Sequence, residues 1–180
     1  MTTVIGVQCD DGVIVVADSR ITADGKIYTD SQMTKVAQKG KYIIAGAGDL
    51  RAIQVVLHVW NPPIPTVKDK TDLYGFVISK LIPSLRKCLD DNKIVLDSDK
   101  EGKESPMELS LLVAVGGRLF EIDGQFTVTV QTHGIYGIGS GSDFATGALK
   151  AGADPLLAMQ IAEDSDSGTS APFKTFEQFI

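Results

Sequence analysis

Val13-Ile14-Val15-Val16-Ala17 is a run of five apolar residues, set between the turn signal Asp10-Asp11-Gly12 and the charged residues Asp18 and Arg20. A mostly β-branched run with no polar alternation predicts a strand covered on both faces. Such a strand cannot lie at the surface, so the chain must supply layers on either side of it. Val4 and Val7 mark a preceding strand, joined to it through the Asp10-Asp11-Gly12 turn. Two more strands are expected near 35–38 and 42–47, around the turn Lys39-Gly40-Lys41. Ile53, Val56, Leu57 and Trp60 then recur at helical spacing until Asn61-Pro62-Pro63. Leu73, Val77, Leu81, Leu85 and Cys88 line one face of a second helix, which Pro83 is expected to bend. The charge-rich stretch 90–106 reads as a solvated connector, with strands at 109–115, 118–122 and 126–132 and helices near 142–151 and 155–163. Strands, two helices, strands and two helices in that order predict an α+β sandwich, with helices on the outer faces of packed antiparallel sheets.

Composition narrows the function. The 180 residues suit one domain (1–180) that buries its core without staples. A net charge of −6 argues against a nucleic-acid partner. Cys9 and Cys88 are too few for a disulfide framework or zinc site and read as buried free thiols, which places the chain in the reducing cytoplasm. No apolar run approaches the ~20 residues of a membrane span. His58 and His133 have no partner at ligand spacing and receive no role.

Thr2 and Thr3 follow Met1 directly. Loss of the initiator methionine ahead of a small side chain leaves Thr2 with a hydroxyl and a free α-amine. The hydroxyl is a weak nucleophile, and an amine of pKa about 7.7–8.0 is a usable base beside it. This pair solves the problem that Ser–His pairs solve elsewhere.

From Thr2 the chain reads TTVIGVQCDDGVIVVADSR and then ITADGKIYTDSQMTKVAQKGKYIIAGAGD, with GIGSGSDFATGAL and EDSDSG further on. The threonine start, DG before an apolar run, AD-S-R, T-x-x-G, KV, AG-x-G, the GSGS stretch and a D-x-x-SG loop stand in the order found in the β-type proteasome subunits and their bacterial relative, the HslV peptidase. The chain resembles these N-terminal nucleophile hydrolases over nearly its whole length. The resemblance implies a four-layer αββα sandwich with Thr2 at the mouth of a cleft between the sheets.

It also implies roles. Lys35 matches the lysine beside the nucleophile, where a cation keeps the Thr2 amine unprotonated and favours a developing alkoxide. Ala23-Asp24-Gly25 is one residue longer than the family spacing, so this match follows the KV pair rather than the count. Asp18 is a carboxylate at the end of an apolar run, which is costly unless paired, and Lys35 is the expected partner. Arg20 is expected on the same strand face as Asp18; it fits proteasome subunits rather than HslV, and a structural ion pair is the other reading. Gly48 matches an oxyanion donor near a helix start, and Gly46 stands where a larger pocket residue is usual, leaving that wall open. Thr22 matches a position whose backbone pairs with an extended peptide. Ser140, Asp164 and Ser167 match the groups around the amine. The backbone carbonyls of Glu163, Asp166 and Thr169 match a monovalent-cation loop; the chemistry itself needs no cofactor.

The implied function is a threonine endopeptidase enclosed in stacked homo-oligomeric rings, fed with unfolded polypeptide by a separate ATPase or gate. Two alternatives share the fold: an amidase acting on a small-molecule amide, and a silent ring subunit that keeps Met1.

Overall fold

The computed structural model describes residues 1–23, 26–28, 33–94 and 108–180. Most of the expected connector therefore lies outside the described residues, as do Asp24 and Gly25. The strands are β1 (Val4–Cys9), β2 (Gly12–Ala17), β3 (Ile21–Ala23), β4 (Lys26–Tyr28), β5 (Val36–Lys39), β6 (Tyr42–Gly48), β7 (Leu109–Val115), β8 (Arg118–Ile122), β9 (Val128–Thr129), β10 (Ile135–Ile138) and β11 (Lys174–Phe179). The helices are α1 (Leu50–Gln54), α2 (Leu73–Phe76), α3 (Ile82–Asp91), α4 (Ser142–Lys150) and α5 (Pro155–Ser165). Two antiparallel sheets result, in the orders β10-β1-β2-β11 and β5-β6-β7-β8-β9, with β3 and β4 as a separate hairpin.

Period-two alternation in the central strands builds three apolar layers between four structural ones. In β6, Tyr42 and Ile44 face the helices α1–α3, whereas Ile43, Ala45 and Ala47 face the other sheet. β7 divides likewise, with Leu111 and Val113 toward the helices and Leu112 and Ala114 between the sheets. Val13, Val15 and Ala17 of β2 also enter the inter-sheet layer, while Val16 packs under α4 and α5 with Ala145, Ala158 and Met159. The apolar run of β2 is thus covered on both faces, and each fully buried Val, Ile or Leu contributes about 1.5–3 kcal/mol. The architecture is the αββα sandwich.

Several local expectations need correction. α1 continues through Val55–Val59 in a wider turn, closed by the Trp60 N–H on the Val55 carbonyl at 2.9 Å. The second long helix widens over Val77–Leu81 just before Pro83, where the missing N–H and the ring disfavour a regular turn. The expected strand 126–132 shrinks to β9, because Phe126 takes a positive φ of 64° in the turn before it. β10, β11 and the β3–β4 hairpin were not foreseen. Cys9 is exposed at a strand end rather than buried, and Cys88 is half-buried. Val55 and Phe76 belong to the core, whereas Val59 and Ile78 are exposed. Among the described residues no helix is long and apolar enough to cross a membrane.

Candidate active site

β1 and β2 carry Thr3 and Asp18 to the same end of the first sheet, where Val4 pairs with Ala17. The main chain continues that pairing past the strands: the Asp18 N–H donates to the Thr3 carbonyl at 3.0 Å, and the Thr3 N–H donates to Asp18 Oδ1 at 2.8 Å. Lys35 arrives from the start of β5 in the opposite sheet. Its Nζ donates to Asp18 Oδ1 at 2.7 Å, with both side chains essentially inaccessible to solvent. Asp18 Oδ2 accepts the N–H groups of Arg20 at 3.0 Å and Ser170 at 3.3 Å. Four donors on one carboxylate answer the cost of burying it. Burial lowers the Lys35 pKa, and the Asp18 carboxylate opposes that shift.

Thr2 is buried beside this pair, at 3% exposure. Its Oγ1 donates to the Met1 carbonyl at 2.7 Å, and Lys35 Nζ donates to the same oxygen at 3.2 Å. A hydroxyl and a buried lysine therefore converge on one carbonyl oxygen. The loop after β10 closes the far side. Gly139 has φ 93°, and a side chain there would strike the Thr2 carbonyl, so glycine allows that loop to approach. Ser140 Oγ then donates to Asp166 Oδ2 at 3.0 Å and lies 3.4 Å from the Thr2 carbonyl.

The expected pair Asp164 and Ser167 is not what meets Ser140. Asp164 lies in α5, which runs to Ser165, and both it and Ser167 are exposed. Asp166 is the first residue beyond the helix, with extended backbone (φ −123°, ψ 117°), and its side chain turns inward. Thr169 Oγ1 donates to Asp166 Oδ2 at 2.6 Å and lies 2.5 Å from Thr3 Oγ1. Burial pushes the Asp166 pKa up, but the Thr169 and Ser140 hydroxyls, the Gly168 N–H and the terminal ammonium outweigh it and hold the carboxyl below its usual range. Among the described residues Ser167 contributes its carbonyl, which accepts from Arg20 Nη1 at 2.7 Å. Arg20 makes no ion pair among the described residues; β2 ends at Ala17, so strand alternation does not carry Arg20 to the Asp18 face. Thr3, Thr169 and Ser170 were not singled out as groups around Thr2. The one signal for Thr169 was a second D-x-x-[S/T] frame, Asp166-Ser167-Gly168-Thr169, overlapping the first.

At the other wall, β6 passes into α1 through Gly48 and the N-cap Asp49, whose carboxylate accepts from Arg51 N at 2.8 Å and Ala52 N at 3.0 Å. Gly48 is exposed with φ 114°, and a Cβ there would collide with the Glu108 carbonyl. Gly48→Ala is expected to destabilise the protein by about 1–3 kcal/mol from the backbone conformation alone, read as a lower Tm. Gly46 does not open the pocket wall. It is buried, and a side chain there would meet Ile53 and Leu111 at 3.1 and 3.2 Å. The Thr22 side-chain oxygen is buried without a hydrogen-bond partner among the described residues. Glu163 Oε1 holds the Ser170 hydroxyl at 2.9 Å and the Ala171 N–H at 3.0 Å, while the Asp166 carbonyl accepts the Thr169 N–H at 3.1 Å. All three expected cation-loop residues thus also hold the loop together from within.

A family model described as "Proteasome subunit" matches residues 1–58, the stretch that carries Thr2, Asp18 and Lys35. A proteasome subunit alpha from Methanococcus maripaludis is 29% identical across 98% of this chain, and the chain spans 65% of that relative's length. Among solved structures, HslV from Trypanosoma brucei is similar with a TM-score of 0.66, at 24% identity and 98% coverage of each chain. Thiobacillus denitrificans BPH in complex with epoxomicin gives a TM-score of 0.72 at 18% identity, covering 99% of this chain and 98% of that one. At these identities the two structures establish the fold.

Proposed function

We propose that this chain, whose residues 1–58 match the proteasome-subunit family model and whose fold is that of HslV and Thiobacillus denitrificans BPH, is a threonine endopeptidase whose nucleophile is Thr2. The observation that carries the reading is the convergence of Thr2 Oγ1 and Lys35 Nζ on a single carbonyl oxygen. In the described chain that oxygen belongs to Met1. Once Met1 is removed, Thr2 N is a free amine and the space is open to the carbonyl of a substrate peptide. Thr2 Oγ then bonds to the carbonyl carbon while its proton passes to the Thr2 amine. The resulting ammonium returns that proton to the leaving amine as the C–N bond breaks. Water attacks the ester carbonyl and gives a proton to the Thr2 amine, and the ammonium returns that proton to Thr2 Oγ as the C–Oγ bond breaks and the acid is released. Lys35, held by Asp18, places positive charge beside the developing alkoxide, and the Gly48 N–H is the proposed oxyanion donor. Ser140 and Asp166 are the groups proposed to orient the Thr2 amine, with Arg20 fixing the Ser167 carbonyl and so the loop that carries Asp166.

The substrate proposed is extended polypeptide, paired along the Thr22 strand. A cleft of this kind needs enclosure to spare other proteins, and the apolar side chains left exposed support self-association. Val59, Tyr74 and Ile78 are 47–56% exposed on the α1–α3 side, and Phe144, Leu156 and Leu157 are 45–51% exposed on the α4–α5 side. Both outer layers thus offer contacts to further copies. Light scattering at micromolar concentration is expected to give a homo-oligomer of at least six subunits, with unfolding supplied by a separate ATPase. A stable monomer or dimer would remove the compartment and favour the small-molecule amidase. The activity itself is tested by hydrolysis of a fluorogenic peptide against a simple amide. Selective turnover of the amide would overturn the peptidase reading.

A further inference from the structure

We propose that Thr3 is a positioning residue that ties the two carboxylates of the site together, acting on Asp166 through the Thr169 hydroxyl. The inference deepens the Thr2 reading and rests on it. Its basis is a buried chain of hydroxyls: Thr3 is 0% exposed and Thr169 1% exposed, with their oxygens 2.5 Å apart and Thr169 Oγ1 2.6 Å from Asp166 Oδ2.

Proton counting sets the direction of this chain. An ionised Asp166 can only accept, so the single Thr169 proton points to it. The Thr169 oxygen must then accept, and the Thr3 hydroxyl is the donor. Hydrogen bonds in such a series polarise one another, so the Thr3 hydroxyl strengthens the bond that Thr169 makes to the carboxylate. The backbone of Thr3 is bound to Asp18 in both directions, N–H to Oδ1 and carbonyl to the Asp18 N–H. One residue thus fixes the Lys35–Asp18 pair through its main chain and Asp166 through its side chain, next to Thr2 itself.

A second observation is the space at Gly141, the buried residue just before α4. A Cβ there would collide with Thr3 Oγ1 and lie 2.5 Å from Thr169 Oγ1 and 3.0 Å from Asp166 Oδ2. The polar chain is therefore closed over by backbone rather than left to solvent. A threonine used only for packing would not need this arrangement; valine has the same shape.

Thr3→Val removes the donor and keeps the volume. With the Thr169–Asp166 bond weakened, the carboxylate that receives the Ser140 hydroxyl is held less firmly in place. The loss in kcat is expected to be about tenfold, the worth of one ordinary hydrogen bond, with KM within about twofold. Thr3→Ser restores the donor and should recover most of the rate. Thr169→Val cuts the same chain from the other side, and the double variant should be no slower than the worse single.

Stability gives a readout that needs no activity. Because both substitutions cut one hydrogen-bonded chain, the Tm losses of Thr3→Val and Thr169→Val should be less than additive in the double variant. Additive Tm losses, together with a wild-type kcat for Thr3→Val, would overturn the relay and leave the Thr2 reading intact. Peptide hydrolysis that survives Thr2→Ala would instead overturn the Thr2 reading, and the stability readout would still decide the relay.

Discussion

Thr2→Ala is expected to lower peptide hydrolysis by on the order of 10⁴-fold or more, the scale on which removing a nucleophile acts elsewhere. The change deletes Oγ and one methyl from a residue whose neighbours are held mainly by their own contacts. The Lys35–Asp18 pair, the Thr3 main-chain bonds and the Ser140–Asp166 bond do not use the Thr2 side chain. Folding and assembly should therefore survive, so that circular dichroism and light scattering match wild type while turnover is lost. Thr2→Ser keeps the hydroxyl and the amine but loses the β-methyl that restricts χ1, and it should retain part of the rate. A fluorogenic peptide cleaved by the alanine variant at the wild-type rate would contradict the assignment.

Asp18→Asn should injure both stability and chemistry. The carboxylate receives Lys35 Nζ and the N–H groups of Thr3, Arg20 and Ser170, all at a buried position. An amide in its place leaves a buried lysine without its counter-charge, a type of change that costs about 3–5 kcal/mol. For a chain of this size that is on the order of 10 °C in Tm. Burial lowers the Lys35 pKa and Asp18 is the main opposing influence, so its removal lets the ammonium deprotonate at still lower pH. The alkaline limb of the pH–rate profile should accordingly move down. Lys35→Ala removes the charge outright and should cost on the order of 10²-fold or more in rate. Lys35→Arg should not rescue it, because a planar guanidinium does not fit where a compact ammonium sits. Unchanged rates in both Lys35 variants would mean that the lysine serves the fold alone.

Much of the fold was legible because its signals were dense. The run Val13–Ala17 could only be a strand covered twice, and the segments 53–60 and 73–88 carried helical periodicity. β11 was missed because Lys174, Thr175, Glu177 and Gln178 leave only its phenylalanines as apolar signal; its pairing with β2 comes from that strand's need for a neighbour. β10 has only four residues before the glycine-rich loop, too few to display a period.

Within the site, Asp18 was readable because a buried charge demands a partner, whereas Lys35 was singled out by the resemblance at the KV pair; only the approach of the two sheets brings them together. Asp166 was placed in the cation loop rather than beside Ser140, since two D-x-x-[S/T] frames overlap at residues 164–169. Local spacing cannot choose between them. What decides is where α5 stops, and that depends on how its last turn packs: Ala162 is buried, Asp164 faces solvent, and the chain unwinds at Asp166. Gly46 misled for a related reason, since a strand position alone does not reveal that Ile53 and Leu111 fill the space beside it.

The central claim is that Thr2 acts with its own free amine, and intact mass of the purified, active protein tests it most directly. Protein that hydrolyses the fluorogenic peptide should begin at Thr2, lacking Met1, and the rate across preparations should rise in proportion to the Met1-free fraction. Full peptide hydrolysis by protein that retains Met1 throughout would contradict the account, because an acylated Thr2 nitrogen has no basicity to accept the proton.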